Sequence, residues 1–417
     1  MNEATRQFAL AHADDDVRQL ALKGCSDPEV DFPVALQQIS GRQVARRKVP
    51  SWAAISNIEY PVHLSMEQCS SEATARYKVR LATGLSGFST PYRKLVDLTG
   101  GFGVDFGFLC EMFDEGVYVE RNEALCALAY HNLHILADET KPLSPINFSV
   151  VNAEAETFLH RMEEHVTLIF IDPARRDGSG ARTYGISDCT PDVLPLMDEL
   201  LAKADYLLLK LSPMLDWHKA IADVGTDHVE QVHIVAVGGE CKELLLLLSA
   251  KGSKQPSLVC SNDDRQESFE LNRAGELFGT TDPYVATETT MFQKSQRLQE
   301  YLFEPHAALM KGGRFNELAL RYGVSPLAPN SHLFTADVPV GDFPGRMFRV
   351  TAVSTMNKQE LKEKVMPIKQ ANISVRNFPM GADALRKKLK LSEGGSNYLF
   401  ATTLADGRHI LLVCQKL

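Results

Sequence analysis

Three groups of residues in this chain are of types and spacings that do chemistry. The first is Asp97-Leu98-Thr99-Gly100-Gly101-Phe102-Gly103, where an apolar run meets glycines and then a helical stretch, VDFGFLCEMF. Glycines let the backbone come close to a ligand, and the start of the following helix offers unpaired N–H groups to an anionic or polar group. A nucleotide-like cofactor is the natural tenant, although glycines also serve as plain packing turns between strand and helix. The dinucleotide pattern G-x-G-x-x-G is broken, because Phe106 stands three residues after Gly103. The second group follows on the next two strands. Glu120 closes the run GVYVE, where a carboxylate can accept both hydroxyls of a ribose. Asn152-Ala153-Glu154 follows the third strand, INFSVVN, where Asn152 or Glu154 meets an adenine amino group or serves an ordinary loop.

The third group is Asp172-Pro173-Ala174-Arg175-Arg176, directly after the apolar run VTLIFI. A strand stopping at Asp-Pro sets a carboxylate on the carboxyl edge of a sheet, where α/β sheets bind ligands, and proline stiffens the turn behind it. Arg175, Arg176 and Arg182 are placed to meet phosphates or to pair with Asp177 and Asp188. Lys210 closes the run YLLLK and opens into the same crevice, as a structural partner of Asp172 or as a catalytic group.

Short β-branched and leucine runs separated by helical stretches must position these groups, a texture that predicts a parallel sheet. Seven strands are expected at 94–99, 116–120, 146–152, 166–172, 206–212, 228–237 and 243–249, the last two a hairpin at Gly238-Gly239. The expected fold class is α/β: a seven-stranded Rossmann-like sheet preceded by a helical domain and followed by α+β domains. The helical domain spans 1–88, the sheet domain 89–252, an α+β segment 253–345 and a small α+β domain 346–417. That last domain carries a basic helix, ADALRKKLKL, and a terminal hairpin turning at Asp406-Gly407.

Composition narrows the function classes. With 417 residues, 44% hydrophobic and 23% charged, the chain has the make-up of a folded multi-domain protein. Its longest apolar runs are half the length a bilayer requires, and the amino terminus lacks the features of an export signal, so a cytoplasmic protein without a membrane partner is expected. Eight cysteines are scattered singly with no CxxC pair, which predicts reduced thiols and no metal site. The net charge of -9 is unevenly spread. Residues 351–417 hold eleven Lys and Arg against five acids, and a second basic knot comprises Arg42, Arg46, Arg47 and Lys48. Each is either a solvated helix face or a local nucleic-acid footprint.

Over residues 90–250 the loop DLTGGFG, the acid in YVERN, the segment NAEAETFL and DPARR occur in the order that resembles a class I S-adenosylmethionine-dependent methyltransferase. The resemblance implies S-adenosylmethionine as cofactor. It places Asp97, Thr99, Gly100, Gly101 and Gly103 on the methionine part, Glu120 with Arg121 on the ribose, Asn152 with Ala153 on the adenine, and Asp172 beside the cofactor. Asp172, Pro173 and Arg175 take the catalytic position. Nucleic-acid amino-methyltransferases carry Asp-Pro-Pro and an aromatic residue there, and this chain departs from them with Ala174 and Arg175. Pyrimidine C5 methylation is disfavoured, since no cysteine nucleophile stands on the fourth or fifth strand.

The whole chain is similar to a bacterial family of such enzymes with a THUMP-like carboxyl-terminal domain and a ferredoxin-like segment before it. The similarity rests also on EQCSSEATARYK, YLFEPHAALMKGG and SHLFT. It implies an RNA substrate, transfer or ribosomal RNA, with Arg175, Arg176, Arg386, Lys387 and Lys388 as substrate contacts. Two alternatives stand beside it: a methyltransferase for a protein or small molecule, and a non-catalytic RNA-binding protein retaining the fold.

Overall fold

The computed structural model describes residues 1–85, 92–140, 147–175, 185–271, 298–328 and 330–417. Arg176, Asp177 and Arg182 lie outside them, and only the backbone of Arg175 is described. The chain divides into two compact units, one of Met1–His233 with Lys242–Pro256, the other of Ile234–Cys241 with Ser257–Leu417.

The first unit opens with helices α1 (Glu3–Ala11), α2 (Val17–Lys23), α3 (Phe32–Lys48), α4 (Pro50–Ala53), α5 (His63–Gln68) and α6 (Glu72–Thr83). Their starts are written locally. Asn2, Asp16, Asp31 and Ser71 each accept from a first-turn N–H that has no partner within its helix. The basic knot in α3 is half committed to the fold and half exposed. Arg42 donates to the carbonyls of Ala53 and Ser56 at 2.8 and 2.7 Å, Arg46 pairs with Asp14, and Lys48 donates to the carbonyls of Met66 and Cys69 at 2.9 and 2.8 Å. Arg42 and Lys48 therefore brace the helices, while Arg46 and Arg47 are exposed.

Strands and helices then alternate: β1 (Lys94–Asp97), α7 (Val104–Cys110), β2 (Glu115–Glu120), α8 (Glu123–Thr140), β3 (Phe148–Asn152), α9 (Ala155–Arg161) and β4 (Val166–Ile171). A short antiparallel pair, β5 (Ala174–Arg175) and β6 (Cys189–Thr190), precedes α10 (Met197–Lys203), β7 (Ala204–Leu211), α11 (Trp217–Val224), β8 (Val229–Val237) and β9 (Glu240–Leu248). The seven long strands fall where the sequence places them, in the order β8-β9-β7-β4-β1-β2-β3. Strands β3, β2, β1, β4 and β7 are parallel, and β9 runs antiparallel to β7. The hairpin glycines Gly238 and Gly239 both have positive φ, 60° and 82°, the backbone of a tight two-residue turn. All six residues of β4 are buried, as a strand covered on both faces requires.

The sheet has nine strands rather than the expected seven, because β10 (Ser257–Asn262) and β11 (Arg265–Glu270) extend it beyond β8. The polar turn Asn262-Asp263-Asp264-Arg265 conceals this: both strands are six residues long, and in β11, RQESFE, Phe269 is the one apolar and the one buried residue.

The second unit contains a further sheet of β12 (Tyr301–Pro305), β13 (Ser325–Pro326), β14 (Phe334–Ala336), β15 (Gly345–Ser354), β16 (Asn372–Arg376), β17 (Asn397–Thr403) and β18 (His409–Lys416). Their order is β13-β14-β12-β15-β18-β17-β16. Strand β12 pairs along β15 from Tyr301↔Arg349 to Pro305↔Gly345, so the segments before and after residue 345 share one sheet. Alternate residues feed two cores: Leu399, Ala401, Leu411 and Val413 one, Phe400, Leu412 and Cys414 the other. The basic helix 382–389 seats Leu385 and Leu389 in the first. Its Arg386 donates to the Ala371 carbonyl at 3.2 Å, while Lys387 and Lys388 are exposed.

Candidate active site

The strand order reverses between β1 and β4, and a crevice opens at their carboxyl ends, as open α/β sheets provide. Here it is a cavity of about 610 Å3 within the first unit, inside the range of small-molecule and cofactor sites.

The loop after β1 forms one wall. Asp97 is 1% exposed and accepts from the Thr99 N–H at 2.9 Å. Burial, reinforced by Asp105, Asp172 and Glu120 nearby, pushes its carboxyl well above the ordinary value and favours the neutral form. Gly100 has no room for a side chain, since a Cβ there would lie 2.1 Å from the Tyr118 ring. Gly103 has φ 88° and begins α7. The Tyr118 hydroxyl donates to the Gly101 carbonyl at 2.6 Å, and the Glu120 carboxylate accepts from the N–H groups of Gly101 at 3.0 Å and Asn122 at 2.9 Å. The glycine loop and the acid at the end of β2 are therefore one hydrogen-bonded piece, with Arg121 beside them on the wall.

Ala153 and Glu154, at the end of β3, also line the cavity. Asn152 does not. Its side-chain N–H groups are spent on the carbonyls of Glu120 and Arg121, both at 2.9 Å, where they hold the turn that carries the acid.

Asp172 and Pro173 face the cavity at the end of β4. The Asp172 N–H donates to Thr99 Oγ1 at 2.6 Å, which ties the ends of β1 and β4 together. Lys210, from β7, sets its Nζ 2.5 Å from Asp172 Oδ2. Burial raises the Asp172 carboxyl, and Lys210 pulls it back. Burial opposes the charge on Lys210, yet Asp172, Asp105 and Glu243 hold its pKa above the ordinary value. Of the two roles open to Lys210, the structure shows the ion pair. Downstream of Pro173 the backbone turns into β5, with Arg175 opposite Cys189. Lys387, Lys388 and Arg386 belong to the second unit.

Sequence reasoning missed Ser70 and Asp105. Ser70, from the segment between α5 and α6, lines the cavity, donates to Asp105 Oδ2 at 2.6 Å and accepts from Lys210 Nζ at 3.0 Å. Asp105 lies in a helix whose seven residues are all buried, and Lys78 and Lys210 hold its carboxyl below the ordinary value against the effect of burial. An acid inside an apolar helix was the available signal.

Among the described residues, no group of three or more His, Cys, Asp or Glu could hold a metal, and no helix is long and apolar enough to cross a membrane. Residues 345–416 match the model of a THUMP domain-like family, and residues 301–344 that of a ferredoxin-like domain. No curated protein matches the chain. Among solved structures, one from Porphyromonas gingivalis W83, described as a candidate methyltransferase, is 33% identical. The match covers 99% of this chain and 97% of that one, with a TM-score of 0.80. A S-adenosylmethionine-dependent methyltransferase from Agrobacterium tumefaciens is 17% identical over 46% of this chain and 64% of its own, with a TM-score of 0.31. An rRNA methylase from Streptococcus thermophilus is 13% identical over 45% and 99%, also with a TM-score of 0.31.

Proposed function

The chain belongs to the methyltransferase family with a THUMP-like carboxyl-terminal domain, and on that premise we propose that it uses S-adenosylmethionine to methylate RNA, transfer or ribosomal, in the cytoplasm. The observation that carries the cofactor reading is the Glu120 carboxylate bonded to the Gly101 N–H at the mouth of a cavity that also holds Asp172. A ribose and a charged methionine part suit that wall: an acid for two hydroxyls, a glycine loop with no side chain between backbone and ligand, and a helix start behind it. Asp97, Thr99, Gly100, Gly101 and Gly103 would hold the methionine part, Glu120 and Arg121 the ribose, and Ala153 with Glu154 the adenine edge. Asn152 would act by holding the turn.

When bound, S-adenosylmethionine supplies an electrophilic methyl group. The chain's part is alignment, because such a transfer needs an acceptor held at about 3 to 3.5 Å in line with the leaving group. Asp172 would accept a hydrogen bond from the acceptor's N–H or O–H, with Pro173 stiffening its turn and Lys210 fixing its carboxylate. Arg175 and Arg176 would hold phosphate or a base edge. The exposed Lys387 and Lys388, with the positive excess of residues 351–417, support RNA over a small-molecule acceptor.

The test is calorimetric titration with S-adenosylmethionine of the full chain and of Glu120→Ala. Micromolar binding lost in the variant is the expected result; no binding to the wild type would overturn the reading and leave the non-catalytic RNA-binding alternative. The RNA half is tested by salt: binding to total tRNA should weaken steeply between 50 and 200 mM salt, and a flat response would remove it.

A further inference from the structure

Behind Asp172 lies a row of buried charge that the cofactor reading does not use. It runs Glu243, Lys78, Asp105, Lys210, Asp172. Lys78 Nζ lies 2.5 Å from Glu243 Oε2 and 3.0 Å from Asp105 Oδ1. Lys210 Nζ lies 3.6 Å from Asp105 Oδ2 and 2.5 Å from Asp172 Oδ2. Ser70 Oγ lies within hydrogen-bond distance of both lysines and of Asp105 and Glu243. Lys78 is 0% exposed and Glu243 3%, and neither lines the cavity; the Asp172 side chain, at the other end, is 35% exposed. Signs alternate along the row, so three carboxylates face two ammonium groups and one negative charge is left over.

Burying this many charges carries a desolvation penalty that well-packed apolar residues would avoid. The arrangement exists where the cavity wall is built, and its far end is set by α6 and β9. We propose that Lys78 and Glu243 are positioning residues that hold the Asp172 end of this row at one uncompensated negative charge, biasing the site toward a cationic sulfonium and away from its neutral thioether product. This rests on the S-adenosylmethionine reading above. The two cofactor forms differ by one methyl and one positive charge, so a wall with one excess carboxylate distinguishes them by charge. After transfer the row's excess carboxylate loses the sulfonium that it faced, which favours release of the thioether. In a water-poor wall a charge acts well beyond its contacts, which is how Glu243 reaches a ligand it does not touch. Glu120 carries its own charge but is committed to the Gly101 and Asn122 N–H groups, and it is unchanged in every variant below.

The experiment compares S-adenosylmethionine with S-adenosylhomocysteine by calorimetry on the full chain at one neutral pH. The quantity read is the ratio of the two dissociation constants, in wild type, Glu243→Gln, Asp105→Asn and Lys78→Met/Glu243→Gln. The first two variants leave the row neutral and should shift the ratio about three- to tenfold toward the thioether. The double variant removes one charge of each sign and should restore the wild-type ratio. A ratio unmoved in Glu243→Gln and Asp105→Asn, or still shifted in a double variant that folds by circular dichroism, overturns the proposal. Absence of binding by either ligand to the wild type would instead refute the cofactor reading.

Discussion

Two buried carboxylates, one in each unit, show opposite ways of living with charge. Asp105 is enclosed by two lysines that are themselves 0% and 8% exposed, so every partner has left water. Glu304, 3% exposed in the second unit, is gripped by Arg346 and by Arg376, whose side chains are 45% and 34% exposed. Arg346 also lies over the rings of Phe348 and Tyr398. One carboxylate belongs to a row that reaches solvent at its Asp172 end. The other is a peg to which two surface arginines are tied. Charge in the first arrangement can set the potential of a cavity, whereas in the second it locally braces β12, β15 and β16.

The largest expected effect tests that distinction directly. Lys210→Met strands Asp172 and leaves Asp105 with Lys78 alone, and should cost about 3 to 5 kcal/mol in denaturant unfolding; a loss below about 1 kcal/mol would mean that water compensates the freed carboxylate. Next comes the loop that shapes the other wall. Gly100→Ala drives a Cβ into the Tyr118 ring and should cost about 1 to 3 kcal/mol together with the S-adenosylmethionine titration signal. Gly341→Ala in the second unit meets nothing within 4 Å and should change stability by less than about 0.5 kcal/mol.

Glu304→Gln is expected to cost only about 1 to 2 kcal/mol, because both arginines can turn to water. A cost equal to that of Lys210→Met would erase the contrast between the units. One effect is shared by the two units. His233, against the Tyr77 hydroxyl at 2.8 Å, and His306, capping the helix 307–312, are both kept neutral by burial, with pKa lowered to about 3 and about 4. Their folded values lie below 6.5, so the unfolded chain takes up protons first and stability falls as pH drops below 6.5 toward those values. Each should contribute up to about 1.4 kcal/mol per pH unit in that window. His233→Gln should flatten the acid side of a pH–unfolding series; an unchanged slope would mean that His233 is protonated in the folded state.

Much of the first wall was readable beforehand. Gly100, Gly103 and Glu120 stand where an apolar run ends, and strand-end position is a local property. Asn152 was read at the right strand end, but its amide faces the Glu120 turn, which depends on how β2 and β3 pair. The basic segments were readable as charge but not as contacts: the reach of Arg42, Lys48 and Arg386 to carbonyls at Ser56, Met66 and Ala371 depends on helix packing. Strand β11 was passed over because an edge strand can be almost wholly polar, and β10, buried between β11 and β8, because its apolar run Leu258-Val259-Cys260 is short and sits among polar residues.

By itself the sequence determined what neighbours within a few residues decide: the alternation of strand and helix, helix caps, the Gly238-Gly239 and Gly407 turns, and the carboxylates at strand ends. Tertiary structure alone decided the partners. Lys78 and Glu243 are 165 residues apart and Asp172 and Lys210 are 38 apart. A buried charge is fixed by the opposite charge within about 4 Å, and which residue arrives there follows from the order of strands in the sheet, which no local pattern encodes.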